Sequence, residues 1–195
     1  MEGRVLREMR VDEYVALDRV DDQRWECANG VAYAMAGGST EHALVVGDVY
    51  AALKRPLDGK PCLPFLDAQK IATVRTRAYH YPDASVVCPP LARDAKDEHA
   101  LTSPVAIFEV LSPGTRDHDY DQGDKFAHYR SIDALTDYVL VDPDARVVEH
   151  RRRVADDQWL TTFLTAGELA LGALDVVLPI DAFWRDLDRL APPQV

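Results

Sequence analysis

The stretch PVAIFEVLS at positions 104–112 constrains this chain more than any other. It reads as a short apolar strand, rich in β-branched and aromatic residues, closed by a Ser-Pro-Gly turn at 112–114. Glu109 is out of place there, because a carboxylate in a buried strand is costly unless it is paired, hydrogen-bonded or holding a metal. Upstream, the similar run YPDASVVC at 81–88 carries a second isolated acid, Asp83. Downstream, residues 119–130 read as a helix with Lys125 near its middle. Two acids on successive strands and a lysine on the next helix point to a hydrolytic metal site.

The rest of the chain supplies a frame for those residues. Residues 10–20 suit a short helix with Val11, Tyr14, Val15 and Leu17 inward. Asn29-Gly30 between the apolar runs 24–28 and 31–35 is a hairpin signal, because both residues tolerate positive φ. Ser39 or Thr40 caps a helix to about residue 55, with Ala43, Val46, Val49, Tyr50 and Leu53 at helical spacing and Pro56 and Gly59 ending it. Strands are expected at 62–66, 69–75 and 81–88, followed by a polar surface loop over 89–103. Strands at 136–141 and 146–153 flank a tight turn, and further strands follow at 158–164 and 175–178. Pro179 opens a last amphipathic helix, 180–190, with Phe183, Trp184, Leu187 and Leu190 inward. With no repeat and no linker, residues 1–195 are expected to form one α/β or α+β domain, a mixed central sheet with helices against it.

Several function classes are set aside by what is missing. No stretch approaches the roughly 18 apolar residues of a membrane span, and the N-terminus lacks a signal-peptide core, so a cytoplasmic protein is expected. Cys27, Cys62 and Cys88 form no CxxC pair and are read as reduced, buried small hydrophobes. A formal net charge of −11 argues against coating nucleic acid by bulk attraction, but not against a local basic groove. Phosphate-loop, dinucleotide, serine-hydrolase and zinc motifs are lacking.

The chemistry of the candidate site follows from donor type. Mg²⁺ and Mn²⁺ want carboxylate and carbonyl oxygens, with positions left for water and phosphate. Asp83 and Glu109 would supply two carboxylates, and the Val110 carbonyl a third oxygen. Lys125 would orient the attacking water and stabilise charge on phosphorus. Asp121, Lys125 and Tyr129 share one helix face. The blander alternatives are that Asp83 caps a turn, Glu109 bonds an arginine and Lys125 is a solvated helix lysine. Glu26 either leans into the same cleft or pairs with Arg24 or Arg75, and His42 either contacts a phosphate or metal-bound water or takes a surface or capping role. Asp117-His118-Asp119 reads as an acidic helix start, and the run 150–153 (HRRR) as a solvated edge strand.

Six segments together resemble one family. They are Arg24-Trp25-Glu26 with Asn29-Gly30-Val31, Ser39-Thr40-Glu41-His42, Tyr81-Pro82-Asp83, FEVLSPGT at 108–115, YDQGDKFAHYR at 120–130, and YVLVD at 138–142. In that order and spacing they resemble the Uma family of restriction-endonuclease-like proteins, within the PD-(D/E)xK nuclease superfamily. The resemblance implies a restriction-endonuclease-like fold and Mg²⁺-dependent (or Mn²⁺-dependent) hydrolysis of DNA phosphodiester bonds. It makes Asp83 the first acid of the pattern and Glu109 the second. The superfamily lysine falls two residues after that acid, where this chain has Leu111, and the family's replacement from the next helix maps onto Lys125. A homodimer would suit a chain of this size. The rival expectation is a nuclease-fold module that binds a partner or nucleic acid without cutting.

Overall fold

The computed structural model describes residues 5–35, 37–112 and 123–190. The first half of the chain contains β1 (Val5–Glu8), α1 (Val11–Val20), β2 (Trp25–Ala28), β3 (Val31–Ala34), α2 (Thr40–Leu57), β4 (Leu63–Leu66), β5 (Ile71–Thr73), β6 (Ala78–His80) and β7 (Ala84–Val87). The second half contains β8 (Pro104–Val110), α3 (Lys125–Tyr129), β9 (Asp137–Asp142), β10 (Val147–Ala155), β11 (Gln158–Leu164), β12 (Glu168–Leu171), β13 (Val176–Pro179) and α4 (Arg185–Leu190).

These strands build a six-stranded sheet ordered β11-β10-β9-β8-β7-β4 and a five-stranded sheet ordered β1-β3-β2-β6-β5. In the larger sheet β8 and β9 run parallel and the other neighbours antiparallel, so the sheet is mixed as expected. Strand alternation divides β8 between two cores. Ala106, Phe108 and Val110 join Val45, Val49 and Leu53 of α2, with the small β12–β13 ribbon closing that core. Ile107 and Leu111 join Tyr129, Leu135 and Tyr138 on the other face. A third core holds α1 against the smaller sheet through Tyr14, Trp25, Cys27 and Tyr79.

Local sequence accounts for several of these elements. Asn29 and Gly30 adopt φ of 53° and 77°, which lets β2 turn back into β3 with Ala28 opposite Val31. Ser39 caps α2, its hydroxyl accepting the His42 N–H at 3.2 Å.

Other expectations are corrected. Pro56 lies inside the last turn of α2, which ends at Leu57, and Val45 and Asp48 are buried where Ala43 is exposed. The expected strand 81–88 begins only at Ala84, so Asp83 sits on the turn before it. β1, β6 and β12 carry no strand signal in the sequence reading. Residues 89–103 do not form a simple surface loop, because Asp97, Ala100 and Leu101 are fully buried and Leu101 bridges to Ile71 and Arg93. The final helix opens as a 3₁₀ turn over Ile180–Trp184, and Leu190 is exposed. β10 is interior and β11 is the edge. In β10, His150 meets Asp137 at 2.7 Å, while the Arg153 guanidinium caps the carbonyls of Arg130, Ile132 and Leu135.

The cysteine reading is also overturned. Cys62 and Cys88 form a disulfide, and only Cys27 is a free buried thiol. The β4–β7 ladder pairs Leu63 with Val87, so one further step brings Cys62 opposite Cys88. A pairing created by strand register across 26 positions leaves no spacing signal in the sequence.

Candidate active site

Glu109 occupies the face of β8 opposite Phe108 and Val110, and α3 crosses that face. Tyr129 donates its hydroxyl hydrogen to Glu109 Oε1 at 3.1 Å, and Lys125 Nζ lies 3.5 Å from the same oxygen. The two residues are four apart, so one helix face delivers both. Lys125 Nζ also lies 3.3 Å from Glu26 Oε1. It therefore bridges carboxylates carried by different sheets, on β2 and β8. Leu111, at the position of the superfamily lysine, is instead buried in the core beside Tyr129.

Glu26, Glu109 and Lys125 are all buried. Burial opposes charge on Glu26, but the Lys125 ammonium, then His80 and the Tyr81 N–H, hold its carboxyl down at about 2. The Tyr81 N–H reaches Glu26 Oε1 at 2.9 Å. The alternative partners are engaged elsewhere: Arg24 with Asp67 at 3.0 Å and Arg75 with Asp133 at 2.9 Å.

Asp83 reaches the same strand end by another route. Its Oδ2 accepts the Val110 N–H at 2.7 Å, one residue beyond Glu109. Its Oδ1 faces His42 Nε2 at 3.4 Å. Burial alone would lower the His42 pKa, but the hydrogen bond and charge of Asp83, helped by the Val110 backbone, raise it above the ordinary value. Gly38 makes room for that ring, since a Cβ there would stand 2.6 Å from His42 Nδ1. The Val110 backbone thus links the Asp83–His42 pair to the Glu26–Lys125–Glu109 cluster.

Two histidines at this site, His80 and His128, were not singled out from sequence. His80 is fully buried, with Nδ1 3.5 Å from Glu26 Oε2. Its ring packs against Tyr129 at 5.2 Å and His128 at 5.6 Å. Burial, then repulsion from His80, lowers the His128 pKa. Tyr129 shares the Lys125 face, as its spacing indicated, but nothing in the spacing showed that it would reach Glu109. Asp121 and the Asp117-His118-Asp119 run lie outside the described residues.

The donor set suits a hard cation: two carboxylates and the Val110 backbone at one strand end, with oxygen the only ligand type. Their present neighbours are the Lys125 ammonium and the His42 ring, however, and among the described residues no three acidic, histidine or cysteine side chains converge on one point that would hold an ion. Two surface clefts of about 550 and 710 Å³ lie elsewhere, one beside Arg130 and Arg153, the other beside Cys27 and Tyr79.

The mixed sheet with helices against it and the acid-rich end of β8 define a protein of restriction-endonuclease-like fold. A crystal structure from Anabaena variabilis, described as "a putative nuclease belonging to DUF820", superposes with a TM-score of 0.74 at 17% identity, covering 91% of this chain and 98% of that one. Residues 11–181 match the family model "Uma2: Putative restriction endonuclease", and the chain belongs to that family. Two uncharacterized proteins of Synechocystis sp. are similar over most of their length. One is 32% identical, covering 90% of this chain and 91% of the relative, and the other is 29% identical, covering 78% and 85%.

Proposed function

We propose that the chain is an endonuclease that hydrolyses DNA phosphodiester bonds with Mg²⁺ or Mn²⁺. The observation that carries this reading is Lys125 lying between Glu26 and Glu109, beside a strand end to which Asp83 is bonded. Asp83, Glu109 and the Val110 carbonyl would hold the ion. When bound, it would supply Lewis acidity toward the scissile phosphate. Lys125 would keep a positive charge beside the phosphoryl oxygens and orient the attacking water. Glu26 would fix the lysine, and His42, at the more open margin beside Asp83, would contact the phosphate backbone. In this reading two copies act together, each cutting one strand, in the cytoplasm.

The test is cleavage of supercoiled plasmid and single-stranded DNA with each metal. Wild type is expected to cut, and Asp83→Ala, Glu109→Ala and Lys125→Ala to be silent while remaining folded. A variant cutting at the wild-type rate removes its residue from the assignment. A second reading, a binding module that does not cut, is favoured by the pairing of the acids with Lys125 and His42, which an incoming cation must displace. Wild type silent with every metal and substrate, yet retaining DNA in a gel-shift assay, supports that reading.

A further inference from the structure

Away from the acids just described, Lys70 is buried between two buried aspartates. Its ammonium lies 2.5 Å from Asp18 Oδ2 and 2.6 Å from Asp97 Oδ2, with side-chain exposures of 4%, 4% and 0%. It also stands 5.4 Å from the Tyr14 ring centroid and 5.6 Å from that of Tyr81. Stability alone is a weak reason for such a cluster, because well-packed apolar residues often do as well as a buried ion pair. The Asp18 carboxylate does something that no apolar side chain can. Its Oδ1 accepts the Trp25 N–H at 2.8 Å, and its Oδ2 accepts the Tyr81 hydroxyl at 2.7 Å. Trp25 immediately precedes Glu26, and Tyr81 lies two residues before Asp83. One carboxylate on α1 therefore grips both segments that carry these acids.

We infer that Asp18 and Lys70 are positioning residues, with the carboxylate, matched in charge by the lysine, setting the strand that carries Glu26 against the turn that carries Asp83. Tyr81 is the shared element. Its hydroxyl is held by Asp18 while its N–H is held by Glu26. Among the described residues Asp97 makes no hydrogen bond to either segment. It accepts the His99 N–H at 3.2 Å and faces Arg19, so it anchors its own loop and balances Lys70. The inference rests on the nuclease reading for the purpose of the positioning, but not for the positioning itself.

Amide hydrogen exchange on the full, metal-free chain tests it, with Mn²⁺ titration calorimetry alongside. In Asp18→Asn and Tyr81→Phe, the Tyr81 and Val110 amides are expected to exchange about tenfold faster, while Val139 and Leu140 in β9 stay within about twofold of wild type. Mn²⁺ affinity is expected to fall by about tenfold, as for other groups that orient metal ligands. Adding Lys70→Met to Asp18→Asn changes the exchange rates by less than about twofold, since the two act as one unit. Wild-type exchange at Tyr81 and Val110 in Tyr81→Phe, the mildest variant and decisive should Asp18→Asn not fold, overturns the inference. So does equal acceleration in Asp97→Asn. A wild-type protein that takes up no Mn²⁺ counts against the nuclease reading alone, because the exchange rates still decide the positioning.

Discussion

Leu111 packs into the core, while Lys125 reaches the Glu109 carboxylate. The position two residues after Glu109 is used for core packing, and the amine arrives from α3 instead, 3.5 Å from the same carboxylate. The arrangement has a pH signature. Glu26 is held at about 2, below its ordinary 4.5, so it stabilises the fold fully above about 4.5 and loses that contribution as the pH falls toward 2. Urea denaturation between pH 7 and pH 3 is expected to show this loss in wild type. Lys125→Met, which removes the largest charge contribution, is expected to be about 3 kcal/mol less stable at pH 7 and to lose much of the acid dependence. At Gly38 the argument is spatial. Gly38→Ala pushes a Cβ to within 2.6 Å of His42 Nδ1 and turns the ring from Asp83, at a cost of about 1 kcal/mol. A double-mutant cycle with His42→Ala is expected to show that the two substitutions are not additive. Additivity within error would mean that Gly38 does not act through His42.

Among the elements, the β2–β3 hairpin carries Glu26 and depends on its two-residue turn. A Cβ at Gly30 meets nothing closer than the Met9 carbonyl oxygen at 3.8 Å, so the cost of Gly30→Ala is conformational, arising from φ of 77°. About 1–2 kcal/mol of destabilisation is expected, read as a lower urea midpoint with an unchanged slope. α3 shows the complementary lesson. Its described span is only five residues, too short to be stable by propensity, and packing of Phe126 and Tyr129 on the sheet is what holds it. The placement of Lys125 is therefore a property of the β8–β9 surface more than of its own helix.

For the whole molecule, the Cys62–Cys88 bond closes a segment that contains Lys70, Tyr81 and Asp83. A loop of that length gives about 3.5 kcal/mol in the chain-entropy model. Thermal unfolding with and without dithiothreitol is expected to show a clear fall in midpoint on reduction, absent in a Cys62→Ser, Cys88→Ser double variant. Equal midpoints for wild type would mean that the bond contributes nothing. The bond clasps the Cys88 end of β7, the end opposite Asp83, so reduction is expected to loosen the β4–β7 strand ends there and to leave the Asp83 turn in place.

The sequence by itself determined the elements whose signals are local. The Asn29-Gly30 turn, the capped α2, the apolar β8 with its single carboxylate and the acids Asp83 and Glu109 were legible because turn chemistry, periodicity and a misplaced charge act within a few residues. The six quoted segments likewise identified the family. Tertiary structure alone decided what meets across long separations. It placed Lys125 between Glu26 and Glu109, tied Asp18 to Tyr81, buried residues 97–101 and paired Cys62 with Cys88. Each of these depends on strand register or on one layer packing over another. Burial and mutual charge compensation settle such contacts only once the sheets have formed, so no spacing along the chain announces them.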